Sequence, residues 1–321
     1  MIKVDHVTKT FGPKRAVDDV SFAVERGEVL GFLGPNGAGK STTMRTITGF
    51  IPVDSGSVSV CGFDVASKPI EAKRRIGYLP ESAPTYTDMS VSGFLGWAAE
   101  MRGLYRDDKK RAVQRAIEQC SLESVIHQSI DTLSKGFRHR TCLAQAILHD
   151  PEVLIMDEPT DGLDPNQKHE VRALIRRMSA NKAIIFSTHI LEEVEAACTR
   201  AIIIDRGRIV ANGTPGELKA RSERAGAVLL TIRGATPAAI IQTVGRLPEV
   251  SRVEEVAIDQ DRTTVRAYPR PEGVSGALAA IVARGLASTG WSIDGLQTEE
   301  GRLDDVFRSL TRPDTAAIAR Q

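Results

Sequence analysis

The stretch Gly34-Pro35-Asn36-Gly37-Ala38-Gly39-Lys40-Ser41 fits the spacing G-x-x-x-x-G-K-[ST]. Glycines let a backbone close around phosphate oxygens, so that amide N–H groups and the start of a following helix point at negative charge. In this pattern Lys40 reaches the β and γ phosphates of a nucleotide, Ser41 ligates Mg²⁺, and Thr42 follows on the same turn. A second group of reactive residues ends the run Val153-Leu154-Ile155-Met156-Asp157-Glu158. Asp157 suits the orientation of Mg²⁺ and its waters, and Glu158 suits accepting a proton from an attacking water. Alone, the two acids could be the solvated end of a strand; the phosphate loop upstream makes them a candidate site.

Both groups need elements that deliver them to one place. Residues Glu28 to Leu33 form a short apolar run before the loop, and the residues after Lys40 lack Gly and Pro until Gly49, which predicts strand, loop and helix. Val153 to Met156 and Ala183 to Phe186 are two more short apolar runs, separated by a helix-like stretch from Lys168 to Met178. Such alternation predicts buried parallel strands with crossover helices, and open sheets of this kind bind ligands at the carboxyl ends of their strands. Ala201 to Ile204, then Asp205-Arg206-Gly207-Arg208 and Ile209-Val210, predict a hairpin. Between Ser90 and His149 the pattern changes to amphipathic stretches, Ser92 to Met101 and Asp107 to Cys120, which predict a helical insertion.

A polar linker, Lys219 to Gly226, precedes a second region. It predicts a strand at Val228 to Ile232, a helix near Pro237 to Arg246, strands near Val250 to Ile258 and Thr263 to Tyr268, a helix at Ser275 to Arg284 and a strand at Trp291 to Leu296. The order βαββαβ suggests a small ferredoxin-like module.

The 321 residues are 41% hydrophobic and 26% charged with a net charge of +1, a globular profile long enough for two domains. No stretch approaches the roughly 18 apolar residues of a membrane-spanning helix, and Lys3 and Asp5 lie where a signal peptide needs apolar residues, so the chain is expected in the cytoplasm. Cys61, Cys120, Cys142 and Cys198 are scattered singly and read as ordinary core or surface thiols. The near-neutral charge gives no signal for a nucleic-acid partner, and Arg138-His139-Arg140 reads as a solvated helix face.

Leu133-Ser134-Lys135-Gly136-Phe137 resembles the LSGGQ signature of ABC ATPases. With Asp161-Gly162-Leu163-Asp164 in the D-loop position and Ser187-Thr188-His189 ending a strand, the motifs stand in family order over roughly residues 1–220. The resemblance implies an α/β fold: a P-loop ABC ATPase domain (1–220) with a helical insertion (about 82–149), here followed by a small α+β accessory domain (226–312) and a tail (313–321). It implies that ATP and Mg²⁺ are bound, that Glu158 and His189 act in hydrolysis, and that the loop from Gly34, Pro35, Asn36, Gly37, Ala38, Gly39, Lys40 and Ser41 to Thr42 cradles phosphate. Phe11 stands where the family stacks an aromatic ring on adenine, while a Phe beside an N-terminal strand can equally be core. Ser134 and Gly136 would hold, in trans, the γ-phosphate on a second nucleotide-binding subunit.

Two positions depart from the common pattern. Lys135 and Phe137 replace the signature's first glycine and its glutamine. In Ile76-Gly77-Tyr78-Leu79-Pro80-Glu81, Glu81 replaces a glutamine that touches Mg²⁺, so it joins Ser41 and Asp157 as a candidate metal-site residue. Both departures, and the ending Gly301 to Thr311, resemble the branch serving ABC-2-type exporters and gliding-motility-type systems. That implies an ATPase subunit, paired with its own copy, at the inner face of the cell membrane on a separate multi-spanning permease. The alternative is a soluble ABC ATPase acting mechanically on a non-transport partner, although the paired ATPase halves or long coiled coils of such proteins are missing from this sequence.

Overall fold

The structure, a computed structural model, describes residues 1–81, 86–259, 261–270 and 278–311. Two compact units form: Met1–Pro215 with Leu310 and Thr311, and Gly216–Ser309. The first begins with β1 (Ile2–Phe11), β2 (Lys14–Val24) and β3 (Val29–Leu33), then α1 (Lys40–Ile47), β4 (Ser55–Val60), β5 (Phe63–Asp64), α2 (Pro69–Arg74) and β6 (Ile76–Leu79). Helices α3 (Val91–Met101), α4 (Arg106–Gln119) and α5 (Lys135–Ile147) follow. The alternating part resumes with β7 (Val153–Asp157), α6 (Pro165–Ser179), β8 (Ala183–Thr188), α7 (Leu191–Ala197), β9 (Arg200–Asp205) and β10 (Arg208–Gly213).

Among the described residues of this unit, six strands pair in the order β10-β9-β3-β8-β7-β6, all parallel except β10. Strands β3, β7 and β8 are buried at every residue, as expected of a sheet covered on both faces. Their neighbouring positions decide where the chemistry lands. Leu33 pairs with Thr188 and Asp157 with Ser187, so the phosphate loop, the two acids and His189 all emerge at one edge.

A second, antiparallel sheet, β2-β1-β4-β5, was not read from the sequence. It packs on the first through apolar side chains such as Val4 and Val20, with Met44 of α1 in the same cluster and the Phe22 and Phe32 rings 5.4 Å apart. On the opposite face, α3, α4 and α5 pack Phe94, Leu95 and Leu143 against Leu154 and Phe186. Ser90 caps α3 by accepting from Gly93 N at 3.1 Å, and Asp164 caps α6 by accepting from Gln167 N at 2.9 Å, with Pro165 in the first turn. The expected start of the helical insertion, residue 82, lies outside the described residues. Burial pushes the Cys120 and Cys142 thiols up to about 12, which makes them packing residues.

Helix α8 (Pro215–Lys219) stands where the units divide, ahead of most of the stretch read as a linker. The second unit contains β11 (Val228–Arg233), α9 (Pro237–Gly245), β12 (Val250–Asp259), β13 (Arg262–Pro269), α10 (Leu278–Leu286), β14 (Ser292–Thr298) and α11 (Leu303–Leu310). Its antiparallel order, β12-β13-β11-β14, is that of a ferredoxin-like sheet, and Val228, Leu230, Ile240 and Val282 fill its core. Residues 275–277, 312 and the tail 313–321 lie outside the described residues.

Helix α5 is tied to the sheet by His149, whose Nε2–H donates to the Ile76 carbonyl at 3.1 Å while its Nδ1 is buried without a partner among the described residues. Burial, reinforced by the Arg102 cation, lowers the His149 pKa from 6.5 to about 4. The folded chain thus binds this proton more weakly than the unfolded chain, so the stability from neutral His149 is complete above pH 6.5 and is lost as pH falls towards 4. Urea unfolding across this window should show stability declining with acidity, and His149→Gln, which can still donate to Ile76, should reduce the slope. An unchanged slope would remove His149 from that role.

Candidate functional site

The loop between β3 and α1 is held from below by backbone. Gly39, at φ 111°, is in a region open mainly to glycine, and a Cβ there would run into the Ala16 carbonyl of β2. The β9–β10 turn adds a brace: Gly207 N donates to Ala38 O at 2.8 Å, and Asp18 N to Gly207 O at 2.9 Å. With the backbone fixed this way, the α1 N-terminus faces a cavity of about 400 Å³ lined by Asn36, Gly37, Gly39, Lys40, Ser41 and Thr42. Phe11, Lys14, Ala16, Glu81 and Glu158 complete the lining.

Lys40 is only 6% exposed, and its Nζ donates to the Gly34 and Pro35 carbonyls at 2.8 and 3.1 Å. Burial lowers its pKa, against the opposing charges of Glu158, Asp157 and Glu81. An ammonium group in this setting is suited to a phosphate, which would replace the two carbonyls as its partner. Phe11 is 47% exposed at the end of β1, an accessible ring rather than a core one, with Lys9 Nζ 5.6 Å from its centroid.

Opposite the loop, the ends of β7 and β8 are laced together. Ser187 Oγ donates to Asp157 Oδ1 and accepts from Glu158 N at 2.9 Å. Asp157 is buried, and its Oδ2 has no partner among the described residues. A buried, unmatched carboxylate oxygen is costly, and a divalent cation or its water would match it. Among the described residues no group of three or more His, Cys, Asp or Glu side chains forms a self-sufficient metal site. Asp157 would therefore share an ion with other oxygens, such as the Ser41 hydroxyl and phosphate.

Glu158 has φ 52°, strained for a residue with a Cβ. Its Oε2 lies 2.8 Å from His189 Nδ1; the carboxylate is 16% exposed and the imidazole 52%. Glu158 lines the cavity of the phosphate loop, and the His189 ring lies against its carboxylate.

Ser134 and Gly136 are not brought to this cavity. They sit at the start of α5, where Ser134 Oγ caps the helix by accepting from Phe137 N at 3.3 Å and the Gln167 side chain lies over Gly136. Lys135, the departure from the signature, pairs with Asp161 at 3.0 Å, so signature and D-loop are joined within one chain. Arg140 covers the Phe137 ring at 4.5 Å.

The sequence profile described as ABC transporter matches residues 17–161. The linearmycin resistance ATP-binding protein LnrL of Bacillus subtilis (strain 168) is 32% identical over 97% of this chain and 98% of its own length. The chain belongs to the ABC transporter ATP-binding proteins. As a member, this ABC ATPase binds and hydrolyses ATP. The Nod factor export ATP-binding protein I of Paraburkholderia xenovorans (strain LB400) is 36% identical over 78% of this chain and 83% of its own. A solved structure of the ATP-binding subunit of an ABC transporter superposes with a TM-score of 0.64 at 30% identity, covering 69% of this chain and 92% of that one.

Lys14 and Ala16 were missed by motif reading. No spacing rule marks them, because they reach the ATPase site through the β1–β2 turn, which places the Lys14 ammonium near Gly37. A charge-assisted contact of the Lys40 kind carries about 1.5–3 kcal/mol. Lys40→Ala is therefore expected to weaken ATP binding by about 10- to 150-fold in isothermal titration. Affinity within twofold of the parent would take Lys40 out of the phosphate site.

Proposed function

We propose that this ABC ATPase is the motor of an exporter, using ATP-driven closure of two nucleotide-binding subunits to move a separate multi-spanning permease. The observation that carries the pairing is the division of the site. One copy gathers the phosphate loop, Glu81 and Glu158 around one cavity, with Asp157 buried at the end of β7 next to Glu158, while Ser134 and Gly136 lie apart from its lining at the start of α5. Two copies facing each other would each supply what the other lacks, with Ser134 and the Gly136 backbone closing on the partner's γ-phosphate.

Within each site Lys40 and the amides of Gly37 to Ser41 would bind phosphate, and Phe11 would stack on adenine. Ser41 and Asp157, with Glu81 beside them, would hold Mg²⁺, which supplies charge neutralisation to the phosphates when bound. Glu158 would take the proton of the attacking water, and His189, held by Glu158 through Nδ1, would orient that water and the γ-phosphate. The nucleotide-binding domain spans 1–220 on this reading, with the accessory domain at 226–312.

Export is supported by the relatives, one named for linearmycin resistance and another for Nod factor export. Among the described residues no helix is long and apolar enough to cross a membrane, so the membrane path would belong to the permease. We place the subunit in the cytoplasm at the inner face of the cell membrane, docked through its helical insertion.

Glu158→Gln keeps shape and removes the proton acceptor. Hydrolysis should slow strongly while binding survives, and ATP should then hold the closed pair by mass action. Light scattering after size exclusion should show dimer with ATP and monomer with ADP. Parental hydrolysis by the variant would overturn the role of Glu158; an ATP-bound monomer at high concentration would overturn pairing with its own copy.

A further inference from the structure

Among the described residues, the roles above leave one buried acid unused. Glu193, on α7, is 1% exposed. Burying a carboxylate costs several kcal/mol unless its oxygens are matched. Here both are: Oε1 accepts from Thr160 Oγ1, and Oε2 accepts from Thr188 Oγ1 at 2.7 Å. Thr188 Oγ1 also accepts from Ile190 N at 3.0 Å, so its own proton is committed to Glu193.

The positions of the two threonines make this more than a core hydrogen bond. Thr160 follows Glu158 by two residues, in a turn closed by Asp161 N donating to Glu158 O at 3.1 Å. Thr188 immediately precedes His189. Glu158 and His189 must hold a 2.8 Å contact across two separate loops, one of them starting from a strained φ of 52°. Ser187 braces the pair on the strand side, through Asp157 and Glu158 N. On the other side, Glu193 bonds Thr160 in the turn after Glu158 and Thr188 at the end of β8.

We propose that Glu193 is a positioning residue for hydrolysis, clamping the turn after Glu158 to the end of β8 and so fixing the Glu158–His189 pair in register. It touches neither nucleotide nor water; it acts through Thr160 and Thr188. The same clamp links the D-loop, which begins at Asp161, to the end of β8, so a displacement of one is transmitted to the other.

This rests on the reading of Glu158 as the base, so Glu158→Gln is assayed alongside: parental turnover by that variant sinks the base assignment itself. For the clamp, kcat and KM are measured with an independent ATP affinity from fluorescent-nucleotide displacement, and rates are scaled to folded protein. Glu193→Ala should lower kcat on the order of 10²-fold, the scale of small misplacements of reacting groups, while ATP affinity stays within about threefold. Glu193→Gln keeps the length and offers one acceptor and one donor to the threonine hydroxyls, so it should recover most of the loss. A purely structural acid would lower the melting temperature and leave the kcat of the folded fraction alone. An alanine variant with kcat within about threefold of the parent, or one losing affinity and turnover in parallel, overturns the proposal. If Glu193→Ala does not fold, Thr160→Val and Thr188→Val, each removing one hydroxyl, should show the same selective loss in kcat; unchanged kcat in both overturns it.

Discussion

A triphosphate is held by many backbone N–H groups at once only if the chain comes within hydrogen-bond distance of it along a whole loop, and that close approach governs the first unit. The loop after β3 can follow such a path because Gly39 has no Cβ to strike the Ala16 carbonyl, and because Gly207 closes from the other side onto Ala38. The antiparallel sheet and the β9–β10 hairpin are therefore part of the phosphate site, although neither carries a motif. The parallel sheet supplies the second requirement. With β3, β8 and β7 side by side, loop, imidazole and carboxylates arrive at one edge without any long-range coincidence.

That edge separates binding from chemistry. Lys40 and the α1 N-terminus supply positive potential on one side of the cavity, while Asp157, Glu158 and Glu81 supply negative charge on the other, a balance visible in the opposing effects on Lys40. A metal–phosphate complex carries both signs and would match both sides. On the proposed reading, binding draws first on the loop, whereas hydrolysis would also draw on Glu158 and His189 at a fixed spacing, which the hydrogen bonds of Ser187 and Glu193 would brace from two sides. ATP affinity and turnover can then be altered independently by residues a few ångströms apart.

Much of this was legible in the sequence because the informative elements are local. Apolar runs ending in Asp157 and in Thr188-His189 announce buried parallel strands, and the glycine spacing of residues 34–41 announces the loop between them. The βαββαβ pattern of the second unit was readable for the same reason, and its sheet order follows that pattern. What stayed hidden depends on tertiary contact. The N-terminal sheet brings Lys14 and Ala16 to the site through strand pairing that no short window encodes. Glu193 lies among Glu192 and Glu195 in a stretch that reads as a solvated helix face, and only the packing of α7 beside β8 buries one of the three. Gly136 reads as a phosphate contact, and within the single chain a Cβ there would meet only the movable end of the Gln167 side chain from α6.

The central claim is that each ATP site is built from two chains, Lys40 from one and Ser134 from the other, and mixing two inactive variants tests it directly. Lys40→Ala and Ser134→Arg should each be inactive alone, because every site in either homodimer lacks one half. Subunit exchange between them creates pairs in which one site joins an intact Lys40 to an intact Ser134. ATPase activity should therefore appear on mixing, rise with the fraction of mixed pairs, and vanish when Glu158→Gln is added to the Ser134→Arg chain, which supplies the acid to that site. A mixture whose chains demonstrably exchange yet remains as inactive as its components would contradict a site shared between chains.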